Sequence, residues 1–151
     1  HFFYSDYVEL SMFELIKKSF PDTLEIIIIP QLPFAIYNSK IMMMDGSVIG
    51  ARSLPIDLPI IIDHTNDSQS SMNTMILTVK LLQKIDLDIK KVEIHGSLIK
   101  VFTSTNMLIS DRVNYEVNLN RLVISFQDLK KLFKREIKSI DMRYSNGFAI
   151  K

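Results

Sequence analysis

The sequence contains no cysteine and no tryptophan, and only four of its 151 residues are glycine. The absence of cysteine excludes disulfide frameworks, Cys-ligated zinc, CxxC redox motifs and thiol nucleophiles. Four glycines leave little material for a phosphate-binding loop, and the motifs of serine hydrolases, HExxH zinc enzymes, P-loop NTPases and dinucleotide-binding enzymes are absent. We therefore expect a protein that is not an enzyme and that has no cofactor and no metal.

An excess of charge of one sign is also lacking. Lys and Arg number 18 against 17 for Asp and Glu, so the net charge is +1. Proteins held to nucleic acid mainly through phosphate contacts are more basic than this. We therefore expect no nucleic-acid partner; a local basic patch is compatible with this balance.

Long uninterrupted apolar runs are absent as well. The richest stretch, Leu24–Tyr37, is broken by Glu25, Pro30 and Pro33, whereas a membrane span needs ~20 mostly apolar residues. The first residue is His1, and no signal-peptide pattern follows it. We interpret the sequence as part of a longer protein, so a missing targeting segment says nothing about localisation.

Hydrophobic residues, by contrast, are abundant and make up 47% of the sequence. They are enough for the core of one domain, or of one domain plus a fragment of another. Its bias toward isoleucine over alanine favours sheet. Short apolar runs between turn residues predict strands at 26–29, 34–37, 41–44, 60–62, 92–94 and 98–102. Hairpin turns are predicted at Phe20–Thr23 and at Asp45-Gly46.

One helix is predicted where apolar residues recur at three- and four-residue spacing, from Met72 to Ile85, with Ser68, Ser70 or Ser71 as its N-cap. Period-two alternation at Tyr115, Val117 and Leu119 predicts a strand, with 122–126 as its hairpin partner. A short basic helix is predicted around residues 129–135, and a last strand from Ile137 or Ile140 to Ile150. The first eighteen residues fit either a helix or a strand. The predicted fold class is α+β, a mainly antiparallel curved β-sheet with helices packed on it.

Three clusters have alternative interpretations. Asp63, His64 and Asp67 are either a metal or acid–base site or, as we favour, a polar loop. Met42-Met43-Met44 is either an adaptable binding surface or, as we favour, core filling. The basic run at 130–138 is either a contact for lipid headgroups or an acidic partner or, as we favour, a solvated helix face.

The C-terminal strand is the segment for which we favour a binding role. A strand that ends the chain can leave one edge unpaired and open to another chain's strand. Tyr144, Phe148 and Ile150 share parity, so in a continuous strand they would lie on one face.

The order of these features resembles the bacterial division family FtsQ/DivIB. The ending IDMRYSNGFAI, residues 140–150, resembles the family's I-D-L-R-Y-x-N-G-F-A-V strand. Upstream, 20–26 and 33–37 resemble the junction between the family's POTRA and β domains. Residues 44–48 resemble its D-x-G hairpin, 57–61 its L-P strand, and Arg112–Leu119 its R-x-W-x-L strand.

This resemblance implies the end of a POTRA domain at 1–29 and a β domain at 30–151. It implies a non-enzymatic scaffold of the divisome that binds FtsB and FtsL during septation, anchored in the inner membrane by a helix outside these residues, with this part in the periplasm. The residues implied to contact the partner are Arg112, Tyr144, Ser145, Asn146, Gly147, Phe148, Ala149 and Ile150. The alternatives are a POTRA-type assembly factor of outer-membrane protein secretion and a small wall hydrolase or metal enzyme.

Overall fold

The computed structural model describes the backbone of residues 12–19 and 23–151 and the side chains from residue 31 onward. The chain divides into two compact units, His1–Leu58 and Pro59–Lys151. The family-domain boundary between residues 29 and 30 stays a prediction.

The first unit contains a long hairpin and a three-stranded meander. Strands β1 (Met12–Ser19) and β2 (Thr23–Pro30) pair antiparallel, with Ser19 opposite Thr23. This pairing confirms the predicted strand at 26–29. It also shows that residues 12–19, before the turn, form a strand rather than a helix. The turn residues 20–22 and residues 1–11 lie outside the described residues.

The meander consists of β3 (Pro33–Tyr37), β4 (Lys40–Met43) and β5 (Val48–Ile49). The predicted hairpin at Asp45-Gly46 is confirmed, and Gly46 has the positive φ of 88° that this turn requires. Met42 and Met43 are fully buried, which confirms core filling for these two, whereas Met44 is exposed.

The second unit is a mixed sheet with two helices. The strands are β6 (Ile60–Asp63), β7 (Ile89–Ile94), β8 (Leu98–Thr103), β9 (Met107–Asp111), β10 (Ser139–Asp141) and β11 (Ala149–Ile150), adjacent in that order. The pairs β6–β7 and β9–β10 are parallel, and β7–β8, β8–β9 and β10–β11 are antiparallel. A helix connects each parallel pair, as such crossovers require. The α+β class is therefore confirmed.

Helix α1 (Ser68–Leu82) connects β6 to β7 and continues as a 3₁₀ turn to Ile85. The predicted helix is confirmed, but its N-cap is Asp67 rather than a serine. The Asp67 carboxylate accepts a hydrogen bond from the Ser70 amide at 3.0 Å, which satisfies one free N–H of the first turn.

Helix α2 (Tyr115–Leu132) corrects three predictions. The strand at Tyr115–Leu119, its hairpin partner at 122–126 and the family-like strand Arg112–Leu119 are all wrong. The buried residues are Tyr115, Asn118, Leu119, Leu122 and Phe126, which is helical spacing. Val117, which the alternation assigned to the apolar face, is exposed.

The predicted short basic helix also changes. Residues 129–132 form the last turn of α2, and the backbone becomes extended at Phe133. Neither helix in the part of the chain described above is both long enough and apolar enough to span a bilayer.

A buried hydrogen bond joins the two helices. The hydroxyl oxygens of Thr78 on α1 and Tyr115 on α2 are 2.6 Å apart. Because the single Thr78 proton goes to the Thr74 carbonyl oxygen, also at 2.6 Å, the Tyr115 hydroxyl is the donor between them. Burial raises the pKa of Tyr115, so this phenol stays protonated.

Candidate functional site at the C-terminal hairpin

The C-terminal segment is a hairpin rather than the single strand predicted from Ile137 or Ile140 to Ile150. Only β10 and β11 are extended, with Ile140 opposite Ile150 and Asp141 opposite Ala149. Residues 142–148 form the connecting loop, with its turn at Ser145-Asn146. Asn146-Gly147 is a typical turn sequence. The alternating apolar residues around it nevertheless favour one continuous strand, and this concealed the turn. Tyr144, Phe148 and Ile150 therefore do not share one strand face.

The pairing of β10 with β11 determines which backbone groups are free. Ser139 and Lys151 exchange two hydrogen bonds, both 3.0 Å long. In an antiparallel ladder the next pair, Ile140 and Ile150, is then non-hydrogen-bonded. The N–H and C=O of Ile150 consequently point away from β10, whereas those of Ala149 point toward it.

Strand β11 lies at the edge of the sheet. No further strand within the described residues pairs with its outer side. Ala149 and Ile150 are half-buried, so the edge is accessible without being fully solvated. An edge of this kind offers its backbone groups to an added strand.

The loop before β11 is held by Arg121, a residue on α2 that the sequence analysis did not select. Its guanidinium donates to the main-chain oxygens of Met142 at 3.0 Å, Tyr144 at 2.8 Å and Ser145 at 2.9 Å. It also donates to the Asn118 side-chain oxygen at 3.0 Å. Three carbonyls converging on one cation determine the course of the loop.

Arg121 also lies against an aromatic ring. The guanidinium carbon is 5.3 Å from the centre of the Phe148 ring, within the range of a cation–π contact. The sequence pattern does not single out Arg121, because the hairpin predicted from 115–119 and 122–126 puts Asn120 and Arg121 in the turn between its two strands. The helical spacing of Tyr115, Leu119 and Leu122 is the signal that would have placed it on a helix.

Because Arg121 binds main-chain oxygens of Tyr144 and Ser145, the side chains at the turn of the loop remain available. Tyr144 is 53% exposed, and Ser145 and Asn146 are exposed. Gly147 has open space where a Cβ would lie, so packing within the chain does not require glycine there.

Between α2 and the loop lies an open cavity of about 330 Å³. Its lining combines polar and apolar groups: Arg121, Ile124, Ser125, Ser145, Asn146, Gly147 and Phe148. Ile124 is 81% exposed, so α2 presents a large apolar side chain to solvent beside the cavity. The cavity and the exposed Tyr144 place apolar surface in the same short segment as the β11 edge.

An ion pair lies where the chain leaves β10. The Arg143 side chain donates to both carboxylate oxygens of Asp141, at distances from 2.6 to 3.1 Å. These hydrogen bonds lower the pKa of Asp141, although its burial acts in the opposite direction.

Arg112, the remaining predicted contact residue, lies in the turn after β9. Its guanidinium donates to the Ser70 hydroxyl at 3.1 Å, and its backbone N–H donates to the Ser97 carbonyl. It therefore links the turn to the first residues of α1. Its role in partner binding stays a prediction.

The alternative site at Asp63, His64 and Asp67 is the connection from the last residue of β6 to the N-cap of α1. Asp63 accepts hydrogen bonds from the backbone of Thr65 at 2.7 Å and of Asp67 at 2.9 Å. His64 stacks on His95 with ring centres 4.5 Å apart. No group of three or more His, Cys, Asp or Glu suited to a metal occurs in the described portion of the chain.

Comparison with known proteins relates the chain to a protein of bacterial cell division. The chain is 23% identical over 141 residues to the cell division protein FtsQ of Alcanivorax borkumensis, a match that covers 89% of this chain and 54% of that protein. The predicted resemblance is confirmed. The chain spans about half the length of the curated relative, and no protein-family model matches it.

Proposed function

We propose that this FtsQ-like chain is a non-enzymatic scaffold of bacterial cell division that binds FtsB and FtsL through its C-terminal hairpin. The observation that carries the proposal is the outer edge of β11, where the backbone groups of Ile150 point away from β10. The similarity to a cell division protein supports a role in bacterial cell division. In this proposal an inner-membrane anchor outside these residues holds the domain in the periplasm, at the septum.

Strand addition supplies affinity through main-chain hydrogen bonds, and pockets for side chains supply specificity. Both elements are present within a few residues: the β11 edge, and the cavity next to Phe148 and Ile124. Exposed aromatic residues such as Tyr144 are frequent binding hot spots. Arg121 holds the loop in one conformation before a partner arrives, which lowers the entropic cost of binding.

The test compares binding and folding on the same samples. Tyr144→Ala should leave the melting temperature unchanged and weaken binding of an FtsB peptide by more than ~1 kcal/mol. Val113→Ala, at another highly exposed apolar position, is the matched control and should bind like the parent chain.

A second variant tests the edge independently of Tyr144. Ile150→Pro removes the outward N–H while leaving the hydrogen bonds to β10 in place. Ile150→Ala controls for the lost side chain. If both Tyr144→Ala and Ile150→Pro bind FtsB with parent affinity while folded, the hairpin is not the docking site.

A further inference from the structure

A basic patch with two exposed apolar residues lies at the end of α2, in a part of the molecule that the proposed scaffold function does not use. We define the basic patch by its cations and its apolar pair. Its members are Lys130, Lys131, Leu132, Phe133, Lys134, Arg135 and Lys138. All are exposed, Leu132 at 75% and Phe133 at 44%.

The charge of the basic patch is unbalanced. Residues 130–138 hold five cations and one carboxylate, Glu136, although the whole chain has a net charge of only +1. None of the five cations forms an ion pair within the described part of the chain. Lys130 approaches the Phe126 ring, with its nitrogen 5.7 Å from the ring centre. The positive field is therefore available to an outside anion.

The position of Leu132 and Phe133 is not explained by helix stability. Cations in a last helical turn interact favourably with the helix dipole, which accounts for Lys130 and Lys131. The helix dipole does not account for two large apolar side chains at the point where the backbone leaves the helix. Apolar residues flanked by Lys and Arg are typical of segments that lie in a membrane interface.

We propose that the basic patch binds the surface of an anionic phospholipid bilayer, with Leu132 and Phe133 inserted among the headgroups. The positive charge of the basic patch is complementary to the negative charge of the lipid phosphates. Lysine stems extend their charge to headgroup level while their methylenes remain in apolar surroundings. Lysine is depleted from protein–protein interfaces, so four lysines around two apolar residues favour a lipid surface over an acidic protein.

A cavity of about 410 Å³ lies beside the basic patch and shares residues with it. Phe133 lines it, and so do the charged residues Lys130, Arg135, Asp86 and Glu136. Its two cations and two carboxylates balance each other. The excess charge lies outside it, on Lys131, Lys134 and Lys138.

The first experiment measures co-sedimentation of the 151-residue chain with vesicles of equal parts phosphatidylglycerol and phosphatidylcholine. Pure phosphatidylcholine vesicles serve as the reference. Lys131→Glu/Lys134→Glu should lower the partition coefficient at least about 25-fold, since each basic residue near an anionic surface contributes roughly fivefold. Lys80→Glu/Lys84→Glu makes the same charge change at exposed lysines around the end of α1 and should bind like the parent. Equal losses in the two double variants would overturn the proposal.

The second experiment tests insertion. Leu132→Ser should lower the partition coefficient roughly tenfold or more, because burial of an aliphatic side chain is lost. Since the chain contains no tryptophan, Phe133→Trp places a single indole in the basic patch, and its emission should shift to the blue on anionic vesicles. Val113→Trp, at a 92% exposed position, should show no shift.

Two outcomes of the second experiment would contradict the proposal. One is unchanged emission of Phe133→Trp at saturating anionic vesicles. The other is salt-sensitive binding to polyglutamate that equals vesicle binding, with no effect of Leu132→Ser, which would assign the basic patch to an acidic protein. Melting temperatures of all variants establish that each is folded.

Discussion

The guanidinium of Arg121 donates a hydrogen bond of 2.8 Å to the main-chain oxygen of Tyr144, 23 residues further along the chain. Together with the hydrogen bonds to Met142 and Ser145, it connects the middle of α2 to the loop between β10 and β11. The proposed partner-binding hairpin is thus held by a residue that is not in the hairpin.

Arg121→Lys should loosen the loop without unfolding the domain. An ammonium is a point charge and cannot donate to three carbonyls in the geometry of the guanidinium. We expect a loss of about 1 to 2 kcal/mol in the free energy of unfolding and faster amide exchange in residues 142–151. Hydrogen–deuterium exchange with mass spectrometry measures the second effect. Arg135→Lys, at an exposed arginine, should change neither quantity, and unchanged exchange in Arg121→Lys would show that the loop is held by other contacts.

Proline substitutions in β11 should have opposite structural effects at neighbouring positions. Ala149→Pro removes an N–H that faces β10, so we expect the β10–β11 pairing to be lost and the domain to be destabilised by about 1 to 3 kcal/mol. Ile150→Pro removes an outward N–H and should cost little more than Ile150→Ala. Thermal unfolding of the three variants measures the difference. Equal destabilisation by the two prolines would contradict the register of Ile140 with Ile150.

The buried pair Thr78 and Tyr115 should respond asymmetrically. Tyr115→Phe removes a donor but leaves the Thr78 proton on the Thr74 carbonyl, so we expect a cost of about 1 kcal/mol. Thr78→Val leaves the Tyr115 hydroxyl buried without an acceptor and should cost about 2 kcal/mol. Thr74→Val, on the same helix and half-buried, is the control for the change in side-chain shape. A larger cost for Tyr115→Phe would mean that the donor assignment is wrong.

The Asp141–Arg143 pair predicts a pH dependence. The folded-state pKa of Asp141 is below its ordinary value, chiefly because Arg143 donates hydrogen bonds to the carboxylate. Its stabilising contribution is therefore present above the unfolded-state pKa and is lost as the pH falls through the lower, folded-state pKa. Arg143→Gln should raise the Asp141 pKa, measured by carboxyl ¹³C chemical shifts. The pKa of Glu93, which Lys91 lowers on β7, should stay constant, and an unmoved Asp141 pKa would assign the shift to other groups.

Local patterns were reliable where one turn or one helix decides the structure. The hairpin at Asp45-Gly46 was predicted because that turn needs a positive φ, and Gly46 supplies it. The helix through Met72 and Ile85 was predicted because its apolar residues repeat at helical spacing. In both cases the interacting residues are close in sequence, so the pattern contains the information.

The prediction was wrong where two periods fit the same residues. Tyr115, Val117 and Leu119 alternate, which is typical of a strand. Tyr115, Leu119, Leu122 and Phe126 are also helically spaced. The segment forms a helix because the helical spacing extends over more apolar residues and buries all four of them. Once α2 is a helix, Asn120-Arg121 is not a turn and Arg121 points at the C-terminal loop. The error at 115–126 therefore also concealed Arg121.

The sequence by itself determined the absence of cysteine, the α+β class, the first helix and the resemblance of residues 140–150 to the FtsQ family. Only the tertiary structure decided that Ile150 presents its N–H outward and Ala149 inward. That difference depends on the register between Ser139 and Lys151, which are twelve residues apart and joined by two hydrogen bonds. The direction of an N–H on an edge strand follows from its pairing with another strand, and no pattern within the strand contains that information.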